Sequence, residues 1–261
     1  MRRKMIAGNW KMNTTLADAH VLARGVLNGV EHMERIEVVI CPPTIWLAQL
    51  AHDVVPLHSM PHLKLGAQNM YFAEEGAFTG EISPLMVKEV AEYVIIGHSD
   101  RTHKFHEDTE LIAEKVVSAL AHHLTPILCL GEDQKSENSK RQLVHKLNHL
   151  VNGLSQEQLE KIVVAYEPVW AISGGDAHHE PATPEYAQEV ISGLRHVLPE
   201  KTRILYGGSS NDENALGFFE GSDCDGFLVG GASLKLKSFL TMCQVADDLA
   251  GRHGHQSLHT K

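Results

Sequence analysis

This 261-residue chain predicts an α/β fold, a closed (β/α)8 barrel of alternating strands and helices. Three observations carry that expectation. Eight short β-rich runs recur along the chain. Most are continuous apolar segments without alternation, as parallel strands covered on both faces require. Helical patterns fill most of the gaps, and eight such units in about 250 residues match one barrel of this kind. An open, doubly wound sheet would favour a GxGxxG turn after its first strand. The turn here is Gly8-Asn-Trp-Lys-Met-Asn13, which weakens that option.

The strand-like runs lie near residues 5–8, 37–41, 63–67, 93–96, 126–130, 162–166, 203–206 and 226–229. After the third run, Gln68 to Ile82 has little periodicity and reads as a long functional loop. Leu111, Ile112, Val116, Ala119 and Leu120 form a helical stripe between the fourth and fifth strands. Ser155-Gln-Glu-Gln158 is a capping-box pattern for a short turn before the sixth strand, which Pro168 stops just after Glu167. Thr183 and Pro184 supply an N-cap and a first-turn proline for the helix marked by Tyr186, Ala187, Val190, Ile191 and Leu194. Leu236, Phe239, Leu240, Cys243 and Ala246 make the last stripe. Residues 1–250 are therefore expected to form a single barrel domain, followed at 251–261 by a polar, histidine-containing, disordered tail.

Hydrophobic content of 43% and charged content of 21% describe a soluble globular chain with a full core. A net charge of −10 argues against nucleic acid or an anionic membrane as partner, so any phosphate site must be local. Cys41, Cys129, Cys224 and Cys243 show no CxxC spacing and read as buried thiols in a reducing compartment. With no apolar signal region or spanning run, a cytoplasmic location is expected. The 18 histidines lack an HExxH-type spacing and read as solvated surface residues, so no metal site is expected.

In a barrel the loops after the strands gather at one face. That collects Asn9 and Lys11 from the first strand, His98 from the fourth and Glu167 from the sixth. The seventh and eighth contribute Gly207-Gly208-Ser209 and Gly230-Gly231. The two glycine-rich turns let backbone N–H groups approach a phosphate, although either alone reads equally well as a tight turn. A cation, an imidazole and a carboxylate suit removal of a proton next to a carbonyl, with stabilisation of the enediolate oxygen that develops. A structural glutamate at a strand end is the plain alternative for Glu167 taken alone.

These residues stand in a series of ordered motifs. They include Ala7-Gly-Asn-Trp-Lys-Met-Asn13, Cys41-Pro-Pro-Thr44, Gly76-Ala-Phe-Thr-Gly-Glu-Ile-Ser83, Ile96-Gly-His-Ser99 and Cys129-Leu-Gly-Glu132. Ala165-Tyr-Glu-Pro-Val-Trp-Ala171, Tyr206-Gly-Gly-Ser209 and Asp225-Gly-Phe-Leu-Val-Gly-Gly-Ala-Ser-Leu-Lys235 complete it. Over nearly its whole length the chain resembles the triosephosphate isomerase family. The resemblance implies cofactor-free interconversion of dihydroxyacetone phosphate and glyceraldehyde 3-phosphate, in glycolysis and gluconeogenesis. It implies Glu167 as base, His98 as electrophile, Lys11 as positive charge and Asn9 as a polar contact at the reacting oxygens. Phosphate would meet the backbone N–H groups of Ser173, Ser209, Gly230 and Gly231. A homodimer is implied as well, with Thr79 on a loop entering the partner's site. A non-catalytic phosphate-binding relative and another sugar-phosphate isomerase on a barrel are the competing readings.

Two departures stand out. Asp100 occupies a position where the family usually has glutamate, the acid that holds the counterpart of Lys11. Its reach is shorter by about 1.3 Å, one carbon–carbon step. Either Lys11 is less well placed, or a small backbone adjustment restores the pair. The loop 173–183 is several residues longer than the usual family lid, and it carries His178 and His179, for which a pH response is one reading and plain exposure the other.

Overall fold

The computed structural model describes residues 2–56, 61–172 and 181–256, with side chains of 253–256 left aside. Its strands are β1 (Lys4–Asn9), β2 (Ile36–Cys41), β3 (Leu63–Ala67), β4 (Tyr93–Ile96), β5 (Thr125–Leu130), β6 (Val163–Tyr166), β7 (Arg203–Tyr206) and β8 (Gly226–Val229). Each agrees with the apolar run that predicted it to within one residue at either end. All pair in parallel in chain order, and β8 returns to β1, which closes the barrel and removes sheet edges.

The helices are α1 (Leu16–Val30), α2 (Thr44–Asp53), α3 (Pro84–Lys88), α4 (Ser99–Lys104), α5 (Thr109–Ala121) and α6 (Glu137–Leu150). They continue with α7 (Gln156–Lys161), α8 (Pro184–Arg195), α9 (Ala215–Gly221) and α10 (Leu236–Gln256). Local chemistry sets their starts. Thr183 caps α8 by accepting from the Tyr186 N–H, with Pro184 at the first helical position. Ser155 and Gln158 make the reciprocal capping box of α7.

Alternate strand residues face opposite ways. Met5, Ala7, Val39, Cys41, Ile95, Ile127, Cys129, Val163, Ala165 and Leu205 form one buried cluster inside the barrel. Ile6, Val38, Ile40, Val94, Ile96, Leu128 and Val164 join the helices in a second, outer layer. This double burial is why the runs lack polar alternation. All four cysteines are free and buried.

The amino ends of the strands are sealed by paired charges. Glu37 accepts a hydrogen bond from Tyr93 at 2.8 Å and pairs with the Arg203 guanidinium. Burial pushes the Glu37 pKa up, but Arg203 and the Tyr93 hydrogen bond outweigh it and hold the carboxyl below its ordinary range. Beside this plug, Asp225 is 3% exposed and joins Arg2 at 2.7 Å, Arg195 at 2.6 Å and the Ile204 N–H at 2.8 Å.

One expectation is corrected here. The tail was expected to leave the last helix at Gly251, yet α10 runs on to Gln256. Asp247, 2% exposed, accepts from the Arg35 backbone N–H at 3.2 Å and from its guanidinium. That guanidinium also lies against Gly251, where a Cβ would meet it at 3.1 Å. Anchored to the start of β2 in this way, the helix continues through the polar residues that looked like a tail. Residues 257–261 lie outside the described residues, as do Ser173, His178 and His179 of the long loop.

Candidate active site

The carboxyl ends of the strands surround a cavity of about 560 Å³. Asn9, Lys11, His98 and Glu167 line one side, and the turns carrying Ser209, Gly230 and Gly231 line the other. The barrel thus brings together residues more than 200 positions apart in the chain, such as Asn9 and Gly231.

On the β1 side, the Asn9 side chain accepts from the Lys11 N–H at 3.0 Å. Lys11 adopts φ 51°, a left-handed conformation uncommon for a side-chain-bearing residue. Gln68 donates to the Lys11 carbonyl at 2.8 Å and helps hold that turn. The Lys11 ammonium lies 2.9 Å from Asp100 Oδ2. The other oxygen of Asp100 takes Lys104, one turn along α4, at 2.8 Å. Burial raises the Asp100 pKa, but hydrogen bonds from Lys104 and Lys11 and the charge of Lys11 overcome it and keep the carboxyl far below its ordinary range. The shorter acid therefore does reach Lys11, and the pair is made.

Gly97 follows β4, and its φ of 75° turns the chain so that His98 caps α4. The Asp100 N–H donates to His98 Nδ1 at 3.0 Å. A ring nitrogen that accepts carries no proton, so in the neutral ring the proton sits on Nε2. That nitrogen lies 3.2 Å from Glu167 Oε1. His98 is 7% exposed and Glu167 1%.

Glu167 follows β6 directly. Its Oε2 accepts from the Ser99 N–H at 3.0 Å, and its own N–H donates to the Leu130 carbonyl at 2.9 Å. Gly131 packs against its backbone so closely that a Cβ there would fall 1.5 Å from the Glu167 carbonyl oxygen. Cys129 lies behind it; burial, reinforced by the Glu167 charge, pushes that thiol well up, so it stays un-ionised.

Beyond Glu167, Pro168 leads into a short 3-10 turn (Val169–Ala171). Glu132, 5% exposed, organises it. One of its oxygens accepts from Tyr166 at 2.8 Å, Trp170 at 3.0 Å and Tyr186 at 3.1 Å, while its carbonyl accepts from the Val169 N–H at 3.0 Å. Burial, followed by the Glu132 charge, pushes both tyrosine hydroxyls up, so they remain donors. Ser209 donates to the Ala171 carbonyl at 2.8 Å, tying the β7 turn to the same segment. Gly230 and Gly231 open a second 3-10 turn (Gly231–Leu234) after β8.

A second cavity, of about 640 Å³, lies on the far side of Lys11, between Met12, Gln68, Arg101, Lys104 and Phe105. Its rim is apolar and exposed, with Met12 at 95% and Phe105 at 63%. Thr79 lies in the exposed stretch 74–81 and does not line the first cavity.

The triosephosphate isomerase family model matches residues 4–246, more than nine-tenths of the chain. This chain belongs to the triosephosphate isomerase family. Among its relatives is the triosephosphate isomerase of Dehalococcoides mccartyi, 42% identical over 264 residues, covering 97% of this chain and all of that protein. Those of Caldanaerobacter subterraneus subsp. tengcongensis and Roseiflexus castenholzii are each 43% identical, over 92% of this chain and 98% and 96% of their own lengths. The architecture is accordingly a TIM barrel. Family motifs had pointed to Asn9, Lys11, His98 and Glu167, and all four line one cavity. Three neighbours escaped sequence reasoning. Lys104 was legible as a cation four residues after Asp100. The Ser99 N–H had no side-chain signal. The three donors to Glu132 come from β6, the turn after it and α8, so only the fold reveals them.

Proposed function

We propose that this chain is a triose-phosphate isomerase, one catalytic barrel domain that interconverts dihydroxyacetone phosphate and glyceraldehyde 3-phosphate. The observation that carries the reading is the 3.2 Å approach of His98 Nε2 to Glu167 Oε1, inside a cavity that also holds Lys11 and both glycine turns. A carboxylate takes the proton from the carbon beside the carbonyl, and the electrons of the broken C–H bond form the enediolate double bond. Charge then develops on the carbonyl oxygen. The Nε2–H of His98 and the ammonium of Lys11 are placed to stabilise it. The hydroxyl proton then leaves its oxygen as the former carbonyl oxygen takes one up, an exchange beside His98 Nε2. Return of the carbon proton to the neighbouring carbon completes the isomerisation, so Glu167 serves both carbon steps.

Asp100, pinned by Lys104, keeps Lys11 directed at the site, and Asn9 supports the Lys11 turn. The substrate phosphate rests on backbone N–H groups of Ser209, Gly230 and Gly231, joined by that of Ser173. In a protein of net charge −10, these dipoles and Lys11 supply the local attraction that the whole surface does not. The chain works as a cytoplasmic homodimer. The apolar rim at Met12 and Phe105 and the second cavity beside Lys11 accept the partner's stretch 74–81, which brings Thr79 to the site. Among the described residues no helix is long and apolar enough to cross a membrane.

A coupled assay on glyceraldehyde 3-phosphate, with Glu167→Ala as control, tests the reaction. Turnover lost in the variant supports it; turnover absent from the natural chain, or unchanged in the variant, defeats it. Sedimentation tests the dimer, which a purely monomeric chain at micromolar concentration would exclude.

A further inference from the structure

Glu167 lines two cavities. Besides the main one it borders a smaller pocket of about 150 Å³ on its other side, walled by Ser99, Thr102, His103, Asp133 and Lys146. The partners of the two carboxylate oxygens differ: Oε1 lies 3.2 Å from His98, which lines the main cavity, and Oε2 accepts from the N–H of Ser99, which lines the smaller one. The pocket is several times the roughly 30 Å³ that one water occupies in the liquid, and its walls are polar, the two conditions for hydration. His103 spans its rim. The ring contacts the Ser99 carbonyl through Nδ1 at 2.8 Å and Asp133 through Nε2 at 2.9 Å, tying the start of α4 to the loop after β5. Thr102 adds a hydroxyl that donates to the same Ser99 carbonyl at 3.1 Å.

We propose that this back pocket is a water site through which the proton carried by Glu167 exchanges with solvent during turnover, with the His103–Asp133 pair limiting access. The inference rests on Glu167 acting as the base. While substrate fills the main cavity, its own atoms stand between Oε1 and that mouth, whereas the pocket beside Oε2 stays open to water. The exchange is balanced. The O–H bond of the protonated carboxyl breaks as a pocket water takes the proton, and that water network returns another to the carboxylate. No charge or electron is gained or lost.

The test is turnover in deuterium oxide, reading the share of product that carries deuterium at the newly protonated carbon alongside kcat/KM. Thr102→Leu fills the pocket and Lys146→Met removes a polar wall from α6. His103→Ala opens the rim. The first two should lower the deuterated share by about two-fold or more and the third should raise it by a similar factor, each with kcat/KM within about two-fold of the natural chain. Thr102 and His103 lie on α4 and Lys146 on α6, so a variant on either helix that retains activity reports on the pocket. Shares that do not move in active variants, or that move only in step with kcat, overturn the proposal. A chain that isomerises normally with invariant exchange defeats the pocket alone. A natural chain with no isomerase activity defeats the assigned reaction and the pocket with it.

Discussion

The two mouths of the barrel are built from similar residues to opposite ends. At the amino mouth, Glu37 is met by Arg203 and Tyr93, and Asp225 by two arginines and a backbone N–H. Each carboxylate there is answered by a part-buried arginine. At the carboxyl mouth Glu167 is more deeply buried than either, at 1% exposed, yet no arginine or lysine lies within ion-pair distance among the described residues. Its carboxylate meets the Ser99 N–H, the His98 imidazole and the un-ionised Cys129 thiol. Carboxylates at the amino mouth are met by cations, whereas the one proposed as the base is left short of them.

Substitutions at each mouth should separate the two. The largest effect belongs to Glu167→Ala: kcat should fall on the order of 10³–10⁴-fold, with the thermal midpoint barely changed. A midpoint drop of many degrees would mean that Glu167 is also a support. Arg203→Ala should do the reverse. It strands Glu37 in the barrel and should cost about 3–5 kcal/mol in denaturant melts while the folded fraction keeps its kcat. The same pair sets an acid limit. The Glu37 pKa is depressed in the folded chain, so its contribution is complete above the unfolded value of about 4.3 and is lost as pH falls through the lower folded value. Melts of the Arg203 variant should lack that part of the acid dependence.

Asp100→Asn should lower kcat/KM about ten-fold by loosening Lys11, with a change under 1 kcal/mol in stability because the pair is a third exposed. Its carboxyl is held well below the ordinary range, so in the natural chain the pair persists into acid and opens only as pH falls through that depressed value. Lys104→Met should have the smallest effect, about two-fold in kcat/KM, as expected for an exposed ion pair acting through its neighbour. A loss equal to that of Asp100→Asn would make Lys104 an equal partner in holding Lys11.

How legible each mouth was in the sequence follows from the range of its contacts. The strands were plain because both faces are buried, and an unbroken run such as residues 126–130 leaves little else to be. The starts of α7 and α8 were written in adjacent caps. α3 and α4, at 5 and 6 residues, are too short to show periodicity. The end of α10 was misread because Arg35, more than 200 positions away, anchors it. In the site, side chains just past a strand could be collected from order alone. The Ser99 N–H, the donors gathered on Glu132 and the Glu37–Arg203 plug could not, since each joins distant segments through geometry that no local pattern encodes.

Gly207 carries one further consequence. A methyl placed there would meet the Glu167 Cγ at 2.9 Å, so the hydrogen that stands in its place is the clearance beside the base. In the proposed reaction the carboxylate that rests on Ser99 serves two carbons of the substrate, and Gly207 leaves space beside it to do so. The space beside Glu167 is thus left by a side chain that Gly207 lacks, on a turn from a different strand.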